Sequence, residues 1–186
     1  MKKTKAQNNK QLKELQGKLK TLQAALVKAK QVEGKDDYID VKVQKKHARF
    51  KRIKKKDASD VATGSFFLIV GITAKQGPVF VPVSIATGKK TAGFMYQIEG
   101  TAAGTVTATD LKVRGDGVSM VTVGTLLYVK IPTGATALFR IQVGIKGSFG
   151  KSYKVLITRI NYKLDLNEHR YHQFLKVVNS DSVKFS

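Results

Sequence analysis

Short runs of Val, Ile, Thr, Phe and Tyr, broken by glycine-centred turns about every 10 to 14 residues, fill the chain from Ser65 onward. That rhythm is the strongest constraint on the fold. Runs this short, with no convincing 3.6-residue period between them, cannot make a helical bundle or an alternating α/β sheet. Strands are expected at 66–73, 79–84, 93–99, 104–109, 119–123, 126–131, 136–143, 153–162 and 174–178. Turns are expected at Lys75-Gln76-Gly77, Gly88-Lys89-Lys90, Gly115-Asp116-Gly117 and Pro132-Thr133-Gly134. Eight or nine such strands predict an all-β domain, an antiparallel β-sandwich of jelly-roll or immunoglobulin-like type. Alternation assigns the core: Phe139, Ile141 and Val143 on one strand, and Tyr153, Val155 and Ile157 on another, point inward. Hydrophobic residues make up 42% of the chain, enough for a real core.

The amino-terminal third reads differently. The chain holds 34 Lys plus Arg against 13 Asp plus Glu, a net charge of +21. Residues 1–56 hold 19 of the basic residues and 5 of the acidic ones, a net of +14. The expected division is therefore a basic arm at 1–60 and a β-sandwich domain at 61–186, joined through the small polar stretch Asp57 to Gly64. Within the arm, residues 1–10 are polar and aperiodic. Leu12, Leu15, Leu19, Leu22 and Leu26 then recur at spacings of 3 and 4, the seam of a helix over about 11–31. Such a helix forms a short coiled coil, docks on the β domain, or orders only on a nucleic acid or an anionic membrane.

Tyr38 to Val43 alternates as a short strand, and residues 44–56 (QKKHARFKRIKKK) place eight Lys or Arg in thirteen positions. A dense cationic stretch neutralises phosphates by displacing counterions, with little need for defined geometry. The candidate nucleic-acid-binding residues are Lys2, Lys3, Lys5, Lys10, Lys45, Lys46, Arg49, Lys51, Arg52, Lys54, Lys55 and Lys56. A nuclear localisation signal has the same composition, and a solubility tail is the plain alternative. RNA is favoured over DNA as the partner, and self-association is expected alongside it.

Chemistry is sparse. The chain has no Cys, which removes thiolate catalysis, disulfides and cysteine-ligated metals. Glu168-His169-Arg170-Tyr171-His172 is the one cluster of interest to a metal, but its spacing departs from a helical zinc site and a third ligand must come from afar. Gly144 to Ser152 superficially resembles a phosphate loop. Its first glycine is one residue out of place and a strand follows where a helix should begin, so it is read as a hairpin with Lys146 and Lys151 on its rim. Arg114-Gly115-Asp116 spells an integrin-type tripeptide within a turn. No catalytic residue, cofactor or metal is assigned, and the expectation is a binding or structural protein rather than an enzyme. No apolar run reaches the roughly 18 to 20 residues of a membrane span, and the lysine-rich beginning does not read as a secretory signal.

Two resemblances follow. Ile131 to Phe139, with its Pro-Thr-Gly turn before a Thr-x-x-Phe strand, followed by Tyr153 to Tyr162, looks like the late strands of immunoglobulin-like modules in bacterial surface proteins. The whole layout, a lysine-rich arm before a β-sandwich of about 120 residues, resembles small icosahedral-virus coat proteins. That second resemblance implies a sandwich that tiles a shell, an arm that condenses the genome without sequence preference, and a location in the virion. Two other readings stay open. One is a β-sandwich interaction module for a protein or glycan, oligomerised by the leucine helix. The other is a single-strand binder with an oligonucleotide-binding barrel, in which Phe66, Phe67, Phe80, Tyr96 or Tyr128 stacks on bases.

Overall fold

A computed structural model describes residues 36–53, 61–89, 91–169, 171–175 and 177–186. Among them there is no helix. The strands are β1 (Ile39–Ile53), β2 (Val61–Ala74), β3 (Val79–Pro82), β4 (Ile85–Ala86), β5 (Phe94–Gly100), β6 (Thr105–Arg114), β7 (Ser119–Val123), β8 (Leu126–Ile131), β9 (Thr136–Gly147), β10 (Ser152–Tyr162), β11 (His172–Phe174), β12 (Val178–Asn179) and β13 (Val183–Lys184). The fold is all-β and its sheets are antiparallel apart from the short β4–β5 pair. One sheet has the order β1-β2-β9-β6, a second runs β11-β10-β5-β4 with β12 and β13 also on β10, and a third is β3-β8-β7. Reciprocal backbone hydrogen bonds between Phe80 and Lys163 join the third sheet to the end of β10.

Two expectations change. Residues 44–53 are not part of an arm: they continue β1 and pair with β2 from Ile39 opposite Ala74 to Ile53 opposite Val61. The compact unit accordingly begins at Asp36, not near residue 61. The expected helix over 11–31, with Lys2, Lys3, Lys5 and Lys10, lies outside the described residues, as do Lys54, Lys55 and Lys56. The glycine-rich stretch at 144–152 is also not a hairpin. It crosses from β9 in the four-stranded sheet to β10 in the six-stranded one, with Gly150 at φ 72° in the crossing.

The hydrophobic alternation explains the core. On β2, Phe66, Leu68, Val70 and Ile72 are fully buried, and on β9 so are Phe139, Ile141, Val143 and Ile145. The two strands pair over twelve positions with Phe66 opposite Val143 and Val70 opposite Phe139, so a one-residue slip of either strand would turn its buried row out of the core. Tyr153, Val155 and Ile157 bury from β10, as the sequence pattern requires. A bulge between Ile157 and Arg159 then resets the phase, so that Ile160 and Tyr162 also face inward. Side chains of different sheets meet directly: Phe94 and Phe139 have ring centroids 4.9 Å apart, and Phe185 lies between Phe50 and Tyr153 at 5.3 and 4.6 Å. Each buried aromatic of this kind contributes roughly 1.5–3 kcal/mol of transfer free energy.

The start of β1 is tied down by one carboxylate. Asp36 accepts the N–H groups of Tyr38 and Ile39 and the hydroxyl of Tyr162, whose O–H lies 2.8 and 2.7 Å from the two carboxylate oxygens. Burial, then this hydrogen bond, push the Tyr162 phenol above its ordinary pKa.

Candidate nucleic-acid interface

The cationic block of β1 becomes a site because of one extra residue. Before the bulge the odd positions Ile39 and Val41 are buried, while Val43 on the same phase is exposed. Gln44 forms a bulge, after which Lys45 pairs with Ile69 and the phase is inverted. Ala48 and Phe50 then pack toward the core, while Lys45, His47 and Arg49 stand on the outer face of the sheet. Direct cross-strand partners share a face, so the register can be read across all four strands. Lys45 is opposite Ile69, Ile69 opposite Arg140, and Arg140 opposite Lys112. One strand step away, Leu138 is opposite Arg114.

These residues line a shallow groove of about 460 Å³: Lys45, His47 and Arg49 from β1, Phe67 and Ile69 from β2, Leu138 and Arg140 from β9, and Lys112 and Arg114 from β6. Five of the nine are Lys or Arg, and among the described residues no carboxylate lines the groove. Beside it, Asp110 on β6 lies 3.8 Å from the Lys112 ammonium and is itself exposed. In water such a pair holds the lysine only weakly.

The floor is apolar and partly aromatic. Phe67 is half-buried, with the Arg140 guanidinium 5.5 Å from its ring centroid and the His47 imidazole stacked beside it at 6.4 Å and 25°. Arg49 Nε donates to His47 Nε2 at 2.7 Å. Aromatic contact and hydrogen bond together hold two guanidinium groups in place over the sheet, which lowers the ordering cost of using them on a ligand.

The sequence-predicted residues divide accordingly. Lys45 and Arg49 enter the groove. Lys46 is turned to the other face, where its ammonium pairs with Asp181 at 3.2 Å. Lys51 and Arg52 belong to β1. Lys112, Arg114 and Arg140 were not foreseen, since they lie 60 to 95 residues further along the chain; the polar phase of the strand at 136–143 was the one available signal for Arg140. Of the five aromatics considered for stacking, Phe66, Tyr96 and Tyr128 are core residues, Phe80 is half-buried on β3, and Phe67 opens into the cationic groove.

No family model, curated protein or solved structure matches the chain.

Elsewhere, Glu168 lies 3.6 Å from His172, and among the described residues no third His, Asp or Glu joins them in a metal-sized group. Arg114-Gly115-Asp116 occupies the exposed turn between β6 and β7, and its arginine lines the groove. Among the described residues no helix is long and apolar enough to cross a membrane.

Proposed function

We propose that this chain is a structural nucleic-acid-binding protein. Its three sheets act as a β-sandwich scaffold, and the outer face of the four-stranded sheet, with the lysine-rich segments at 1–10 and 51–56, meets the phosphate backbone. The observation that carries this reading is the groove in which Lys45, Arg49, Lys112, Arg114 and Arg140 converge from three strands with no carboxylate among them. Convergence from distant parts of the chain on one face is the electrostatic footprint of a polyanion site, and it is more specific than a charge run. RNA is the favoured ligand. Backbone contacts of this type fix position and carry no base sequence.

The coat-protein version adds self-association. It is supported by an exposed apolar hairpin, β7–β8, where Met120, Val123, Leu126 and Leu127 all stand in water and β7 is the open edge of its sheet. Under this version the β domain assembles and the basic segments face the packaged nucleic acid.

Fluorescence anisotropy with an oligonucleotide of arbitrary sequence tests the proposal. If all five groove cations contact phosphate, affinity for a single strand falls about 100-fold between 50 and 200 mM salt. Replacing Lys45, Lys112 and Arg140 together by Gln is expected to flatten that dependence. An affinity indifferent to salt would overturn the reading.

A further inference from the structure

The groove offers more than charge, since its floor is apolar and partly aromatic. Resting on the phosphate-binding reading above, we propose that the outer face of the four-stranded sheet is a single-strand site: unpaired bases lie on the shelf made by His47, Phe67 and Arg140, and phosphates run along the flanking cations.

Three planar groups lie side by side here. The imidazole of His47 and the ring of Phe67 are near-parallel, and the guanidinium of Arg140 sits over the same ring. Imidazole, phenyl and guanidinium planes are the surfaces on which unpaired bases stack. Ile69 and Leu138 extend the floor with apolar area, which phosphates would leave unused. Lys45 and Arg49 border the floor on β1, and Lys112 and Arg114 border it on β6. Lys112 and Arg114, two apart on β6, are about 6.7 Å from each other, close to the step between successive phosphates of an extended strand; Lys45 and Arg49, four apart on β1, span about two such steps; and the two borders are three strand spacings, about 14 Å, apart. A backbone can therefore follow either border while its bases turn inward over the floor. A duplex keeps its base faces stacked inside itself, so it would meet the borders and leave the shelf in water.

The test uses residues 1–186 and three probes of comparable charge: a single-stranded RNA 20-mer, a duplex of half that length cut from the same sequence, and inorganic polyphosphate of matching phosphate number. Phe67→Ala is expected to weaken binding of the single strand by about tenfold or more, the worth of one stacked base, and to change binding of duplex and polyphosphate by less than about twofold. Because the chain contains no tryptophan, Phe67→Trp supplies a lone reporter at the shelf. Its emission is expected to be quenched by the single strand and unaffected by polyphosphate. Equal losses for all three probes with Phe67→Ala, or tryptophan emission indifferent to the single strand, would overturn the single-strand assignment while leaving phosphate binding intact. If the wild-type protein bound none of the three, the phosphate-binding reading itself would fall, and this inference with it.

Discussion

Neighbouring phenylalanines on β2 show how sharply one position differs from the next. Phe66 is fully buried against the core, while Phe67 faces the groove. On the paired strand β9, Phe139 is fully buried and touches Phe94. Phe139→Ala is expected to cost about 3–5 kcal/mol in urea denaturation, because the cavity adds to the lost transfer energy. Phe67→Ala should cost about 1 kcal/mol or less, the scale of its contact with Arg140. Tyr162 supplies a pH-dependent term. Its folded-state pKa is raised by burial and by the Asp36 carboxylate, so below about pH 10 folded and unfolded chains both keep the proton. Above that pH the unfolded chain releases it and the folded chain does not, so this part of the stability is lost as pH rises. Tyr162→Phe is expected to lower stability at neutral pH and to flatten its decline above about pH 10 in thermal melts. Gly93 is fixed by space: a Cβ there would lie 2.0 Å from the carbonyl oxygen of Pro82, the last residue of β3. The strand expected at 93–99 therefore starts where the chain must pass closest to its neighbour.

At the scale of the element, β1 decides where the protein can be cut. Removing residues 1–35 leaves Asp36 and the whole of β1, and the remaining unit is expected to stay soluble and to melt cooperatively. Removing residues 1–60 takes Ile39, Val41, Ala48 and Phe50 from the packing and bares the full edge of β2. That product is expected to aggregate, which size-exclusion chromatography of the two truncations would show. Sequence reading placed the joint at 57–64 because β1 does not look like a strand after Val43. Its bulge breaks the alternation, and adjacent cations at Lys45-Lys46 and Lys51-Arg52 put charge on both phases. An edge strand tolerates this, since one side of its backbone and much of both faces meet water. The strands at 119–123 and 126–131 are legible to the residue, because a turn at Gly124 separates two short β-rich runs. The groove was only half legible. Lys45 and Arg49 advertise themselves in a basic run, but their partners on β6 and β9 are brought in by long-range register, which no local pattern encodes. The bulge also predicts where β1 tolerates shortening. Deleting Gln44 would join Val43 opposite Val70 to Lys45 opposite Ile69 in an unbroken ladder, with the groove cations still outward. Oligonucleotide binding by that variant is expected to stay within about threefold of wild type, whereas deleting Ala48 should reverse the positions before it.

For the whole molecule, the position of β1 reassigns the charge. Residues 1–35 hold ten Lys and two Glu, a net of +8, so +13 of the +21 belongs to residues 36–186. The folded unit is itself a polycation. Removing residues 1–35 is therefore expected to weaken binding to an oligonucleotide and reduce its salt dependence, without abolishing it. The two border strands of the four-stranded sheet, β1 and β6, carry four of the five groove cations, and among the described residues they are its outermost strands. A second molecule approaching edge to edge would bring like charges together before any backbone hydrogen bond could form. The cations of the proposed ligand site would thus double as a guard against ribbon-like polymerisation, and the guard is conditional. A bound polyanion would cancel it, so the moment of greatest risk for strand-by-strand growth is when the protein is loaded.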